Sequence, residues 1–132
     1  MSPAALLAAL ALAFPASAAL LRLDVADAIV RAADVHHVPA AIVAAVSWAE
    51  SRAGTAPRYA SLAGVRIRHA YVRSDALSAD LAARSLSRRR AECGSWPRAL
   101  VAYRWGRGCS AVDPTRYAPR VLAVARRLGW RP

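Results

Sequence analysis

The chain has 132 residues, enough for one domain and too few for two. Hydrophobic residues make up 57% of it, enough to bury a core even after removal of a leader. Nineteen basic residues, every one an arginine, face eight acidic ones; the net charge of +11 gives either a solvated cationic surface or attraction to a polyanion such as nucleic acid or a bacterial envelope.

Ala4 to Phe14 is an unbroken apolar run of 11 residues. A bilayer-spanning helix needs roughly 20, so the run is too short for one. Pro15 follows, and Ala16-Ser17-Ala18 matches the small-x-small pattern of signal-peptide cleavage. Residues 1–18 therefore read as a signal peptide and residues 19–132 as the working domain, exported to the periplasm or secreted. Only the α-amino group supplies positive charge ahead of the run, and a buried N-terminal helix is the competing reading. No other segment is a transmembrane candidate.

Proline and glycine cut the remainder into helical segments. From about Arg22 to His36, Leu23, Ala26, Ile29, Val30 and Ala33 recur at spacings of three and four, the stripe of an amphipathic helix. A second helix begins at Pro39 and stops near Ala53-Gly54. Residues 55–77 carry Pro57, Gly64 and the alternation Val65-Arg66-Ile67-Arg68, compatible with a short strand pair, a loop or a broken helix. A third helix is expected from Ser78, as N-cap, to Cys93, with Gly94 as its stop. The fourth takes Ser95 as cap and ends at Gly106. The last runs from about Thr115 to Leu128, with Gly129 as its stop. The expectation is an all-α domain of about five helices.

Cys93 and Cys109 are the two cysteines. In an oxidising compartment such a pair reads as a disulfide, with two buried thiols as the alternative. The absence of a C-x-x-C pattern argues against zinc or redox chemistry.

Glu50 carries the chemical argument. Ile42, Val43, Ala45, Val46 and Ala49 form an apolar arc on the second helix, and Glu50 lies within that arc. A carboxyl group on a buried face is costly unless it is paired or used. Burial raises its pKa and holds the proton needed for general acid catalysis. A structural ion pair to an arginine, Arg52 for instance, is the alternative. Asp75, Asp80 and Asp113 are the candidates for a second carboxylate, and no motif marks any of them; Asp113, before Pro114, reads as a turn or cap residue.

The segment Val38-Pro39-Ala40-Ala41-Ile42-Val43-Ala44-Ala45-Val46-Ser47-Trp48-Ala49-Glu50-Ser51-Arg52 resembles the catalytic helix of the soluble lytic transglycosylase family. In that family a Val-Pro start leads to a Glu-Ser pair at the helix end. Ala99-Leu100-Val101-Ala102-Tyr103-Arg104-Trp105-Gly106 is similar to the family's Ala-Tyr-Asn-x-Gly element, and Tyr117-Ala118-Pro119-Arg120-Val121-Leu122 to its closing helix. The three elements occur in the family's order and span roughly residues 36 to 128. Gly64-Val65-Arg66-Ile67 stands where the family has Gly-Leu-Met-Gln, so Ile67 replaces a glutamine and Arg104 replaces an asparagine.

The resemblance implies a lysozyme-like helical domain that cleaves the MurNAc–GlcNAc β-1,4 bond of peptidoglycan. It makes Glu50 the single acid/base and forms a 1,6-anhydro product. It places Ser51, Gly64, Tyr103 and Tyr117 on the substrate groove and calls for no cofactor and no metal. Glycan strands are the expected partner of a monomer, with service to a larger envelope apparatus left open. Two alternatives keep the same fold: a lysozyme-like hydrolase, and a wall-binding protein without activity. A third, a basic helical nucleic-acid-binding protein, rests on Arg88-Arg89-Arg90 and the net charge, and the leader argues against it. His36, His37 and His69 have no metal-site spacing. Among the tryptophans, Trp48, Trp96, Trp105 and Trp130, core packing is the expected role, with Trp105 the candidate for a ligand contact.

Overall fold

A computed structural model of the protein describes residues 1–132. Six α-helices build it: α1 (Pro3–Ala13), α2 (Leu23–His36), α3 (Ala40–Ser51), α4 (Asp75–Cys93), α5 (Trp96–Trp105) and α6 (Tyr117–Arg127). A 3-10 helix covers Pro15–Leu20, and a small antiparallel hairpin joins β1 (Arg66–Ile67) to β2 (Ala70–Tyr71). The chain is thus all-α, with a hairpin inside the region that the sequence leaves irregular.

Residues at the helix ends explain most of the boundaries. Ser95 caps α5 by accepting from the Arg98 N–H, and Gly94 and Gly106 take the left-handed conformation that closes α4 and α5. Two boundaries differ from expectation. α4 starts a turn before Ser78, because Ser74 accepts from the Leu77 N–H and Asp75 supplies a negative charge at the positive end of the helix. Ser78 is instead buried inside α4, bonded to the Ser61 hydroxyl and accepting from the Ala63 N–H. α6 starts at Tyr117 rather than Thr115, because the Asp113 carboxylate accepts from the N–H groups of both Tyr117 and Ala118.

α3 occupies the centre. Ile42, Val43, Ala44, Ala45 and Val46 are all fully buried, so this stretch is apolar all round rather than on one stripe. α2 and α6 pack against it, α4 lies across α2, and α5 bridges α4 and α6. Alanines such as Ala26, Ala33, Ala79, Ala82, Ala99 and Ala125 sit at these contacts and let the helices approach closely.

The segment that reads as a leader is folded in this structure. α1 packs on α2 with Leu6 and Leu10 in the core. Phe14 stacks on Trp48 with ring centroids 3.6 Å apart, and Arg127 lies over Phe14 and donates to the Ala13 carbonyl. Beyond this contact Ala19 and Leu20 are exposed. No helix is long and apolar enough to cross a membrane.

Cys93 and Cys109 form the disulfide, with Cα atoms 5.3 Å apart. It ties the end of α4 to the loop that follows α5.

Candidate active site

Glu50 lies one residue before the end of α3, where the helix leaves the core. Arg52 and Ala53 then take left-handed conformations that turn the chain away. Two cavities, of about 320 and 330 Å³, meet at Glu50. Both lie at the lower end of the range of small-ligand sites. Ala63, Gly64, Val65, Ile67, Leu81 and Tyr103 are among the lining of the first. Trp48, Thr115, Tyr117, Val121 and Val124 are among the lining of the second. Glu50 and Arg104 line both.

Glu50 is the only carboxylate on either cavity wall. It takes part in none of the ion pairs, and Arg52 in particular is not its partner. Burial raises its pKa above the ordinary glutamate value, and the nearby Arg104 charge works in the opposite direction. The other carboxylates considered from the sequence are engaged elsewhere. Asp75 accepts from Arg22 and Tyr59, at 2.6 and 2.8 Å. Asp80 pairs with His36 at 2.7 Å. Asp113 caps α6 and accepts from the Trp105 indole N–H at 3.1 Å. Trp105 is thereby fixed through its ring nitrogen.

Gly64 faces the carboxyl group directly. Its φ of +68° is left-handed, and a Cβ at this position would stand 2.5 Å from Glu50 Oε2. Only glycine lets the backbone pass there.

The loop bearing Gly64 is fastened from three helices. Ser51 of α3 donates to the Leu62 carbonyl at 2.7 Å. Ser78 of α4 accepts from the Ala63 N–H at 3.0 Å. Tyr103 of α5 donates to the Ala63 carbonyl at 2.9 Å. Ser51 is buried and lines neither cavity, so its hydroxyl holds the loop and does not meet the groove. Tyr103 does line the first cavity, through its ring, while its hydroxyl is engaged with the loop. Burial and the neighbouring Glu50 push its pKa up, so it stays protonated.

Tyr117 lines the second cavity and its hydroxyl is buried without a protein hydrogen-bond partner. A buried, unpartnered hydroxyl is uncommon in a folded protein. Ile67 lines the first cavity and is half exposed.

Of the residues expected on the groove, the structure brings Glu50, Gly64, Tyr103 and Tyr117 to one place and puts Ser51 just outside it. Sequence reasoning misses Trp48, whose ring is held by Phe14 beside the second cavity. It also misses the basic lining, Arg66 in the first cavity and Arg120 in the second. No signal in the sequence brings these arginines to Glu50, since they come from the hairpin and α6. Of the triple arginine on α4, Arg88 and Arg89 pair with Glu92 and Arg90 lies over Trp96. No group of three or more His, Cys, Asp or Glu side chains is placed to hold a metal ion.

No protein-family model, no curated protein and no solved structure matches the chain.

Proposed function

We propose that the protein is an exported lytic transglycosylase that cleaves the MurNAc–GlcNAc β-1,4 bond of peptidoglycan with Glu50 as its only acid/base. The observation that carries this reading is the lone, half-buried and unpaired Glu50 at the meeting of two cavities. A glycosidase that uses water or a covalent intermediate ordinarily places two carboxylates across the scissile bond. Here every other candidate carboxylate has a structural partner, and none lines the groove.

One carboxyl group suffices if the substrate supplies its own nucleophile. Protonated Glu50 gives its proton to the glycosidic oxygen, and the bond from that oxygen to C1 breaks. The resulting Glu50 carboxylate then takes the proton of the C6 hydroxyl on the same sugar. The C6 oxygen closes on C1, giving the 1,6-anhydro ring, and Glu50 is again protonated. No water is consumed. The raised pKa of Glu50 keeps the acid form available for the first step. Tyr117 lines the second cavity beside Glu50, and Gly64 gives the chain room beside the carboxyl group. The disulfide and the cleavage pattern at Ala16-Ser17-Ala18 support export to an oxidising compartment.

Digestion of purified peptidoglycan by the purified protein, with mass analysis of the fragments, tests the proposal. Fragments ending in 1,6-anhydro sugars are expected. Reducing ends only would make the protein a hydrolase, and no release at all would leave a wall-binding role.

A further inference from the structure

Arg104 stands where the two cavities meet, and its position and surroundings set it apart. It lines both cavities, as only Glu50 also does. Its guanidinium carbon lies 4.9 Å from the Trp105 ring centre and 5.8 Å from that of Tyr117, so aromatic faces carry its apolar surface. No carboxylate pairs with it, although Arg22, Arg31, Arg88 and Arg89 all have acidic partners. Trp105 is itself fixed by Asp113. The platform beneath Arg104 is thus anchored at its far side. Arg66, by contrast, is occupied by the ring and hydroxyl of Tyr71.

We propose that Arg104 is a specificity residue that binds a carboxylate borne by the glycan next to the scissile bond, so that the groove selects acidic glycan strands over neutral ones. The inference rests on the glycan-cleaving reading of the site and names the substrate feature it reads. A guanidinium seated on aromatic faces keeps the N–H groups at its edge free, and that edge matches the two oxygens of a carboxylate. With Arg66, Arg104 and Arg120 against Glu50 alone, the lining carries an excess of positive charge. A neutral polysaccharide returns nothing for that charge. A strand with an acidic substituent on every second sugar does. On peptidoglycan the carboxylate comes either from the lactyl ether of a sugar stripped of its peptide or from the stem peptide itself.

Binding to the non-cleaving Glu50→Gln protein separates these cases. The ligands are peptide-free glycan strands, the same strands with their carboxyl groups amidated, peptide-bearing strands, and chitin oligosaccharides as the neutral polymer. Binding is read by tryptophan fluorescence, since Trp105 lies under Arg104. Carboxylate-bearing strands are expected to bind about tenfold or more tightly than amidated strands or chitin, the order of one charge-assisted contact. Adding Arg104→Gln is expected to remove the difference, and Arg104→Lys to keep part of it. A preference among peptide-free strands assigns the lactyl carboxylate; a preference confined to peptide-bearing strands assigns the peptide. Equal binding of charged and amidated strands, or an Arg104→Gln loss that falls equally on both, overturns the proposal. Melting of each variant shows whether the exposed Arg104 has been changed without loss of the fold. A wild-type protein that cleaves glycan without charge preference defeats this inference and leaves the enzymatic reading intact. A charge preference in a protein that cleaves nothing does the reverse.

Discussion

The backbone of Gly64 and the carboxyl group of Glu50 occupy adjoining space, with room for a hydrogen at Gly64 and for nothing larger. A methyl group there would meet Oε2 at 2.5 Å and Cδ at 2.7 Å. Gly64→Ala forces Glu50 out of position and also places a side chain at a left-handed φ, which costs about 1–2 kcal/mol. Peptidoglycan cleavage should fall by at least about a hundredfold, the lower range for loss of a positioned acid/base, while the helical content is kept. Activity at the wild-type level in a folded Gly64→Ala protein would show that Glu50 is not the acid.

Glu50→Gln retains the shape and removes the proton. Cleavage should drop by roughly 10²–10⁴-fold, measured as release of 1,6-anhydromuropeptides. Stability should hold or improve, because no buried arginine loses a partner. The sign follows from linkage. The folded-state pKa of Glu50 is raised, so the wild type loses stability as pH rises from the ordinary glutamate value through the raised one. The glutamine variant does not. Urea melts should agree at about pH 4 or below and separate in favour of the variant toward neutrality. A variant that melts lower and cleaves normally would reduce Glu50 to a structural role.

The same titration should appear in the rate. The first step uses protonated Glu50, so kcat/KM should decline on the alkaline side with an apparent pKa above that of free glutamate. The charged and titratable groups that line the cavities with Glu50 are Tyr103 and Arg104 from α5, Tyr117 and Arg120 from α6 and Arg66 from the hairpin. Of these, only Arg104 lowers its pKa. Arg104→Gln should therefore move the alkaline limb to higher pH. A limb that stays in place would mean that another group sets it.

The Cys93–Cys109 bridge closes a short loop around α5, and its removal should cost about 3 kcal/mol in the chain-entropy picture. Thermal melts of the Cys93→Ala/Cys109→Ala protein measure this. Thiol labelling of the unfolded, unreduced wild type should find no free cysteine.

The N-terminal segment gives the remaining test. Mass spectrometry of the envelope fraction should find a chain starting at or near Ala19, and intact Met1 in the cytoplasm would oppose export. A chain of residues 19–132 lacks Leu6 and Leu10 from the core and Phe14 from the face of Trp48. It should melt below the full chain, because each buried leucine contributes about 1.5–3 kcal/mol. Its tryptophan emission should shift to the red as Trp48 meets water. Coincident melts would show that α1 contributes nothing to the fold.

Much of this was legible in the residues themselves. Gly94, Ser95 and Gly106 act within a turn of their own positions, and their roles could be read directly. Glu50 and Gly64 were legible through spacing and resemblance. Ser78 was misread as a cap because its partners, Ser61 and Ala63, meet it only after the loop folds onto α4. Arg104 and Trp48 were legible as residue types but not as neighbours of one groove. Their placement depends on how α3, α5 and α6 cross, and no local pattern encodes that. Ser51 shows the converse: a helix-end hydroxyl beside an acid looks like a ligand contact, while its geometry directs it to the Leu62 carbonyl.

The three-helix fastening of residues 61–64 has a dynamic consequence. A segment without regular structure usually exchanges its amide hydrogens quickly, through small local openings. Here an opening must break bonds to α3, α4 and α5 together, so the Ala63 amide should exchange nearly as slowly as the helices. Arg68 and His69, at the exposed turn of the hairpin, should exchange fast. With this wall held from three helices, a ligand that enters the groove meets Gly64 and the ring of Tyr103 already in place.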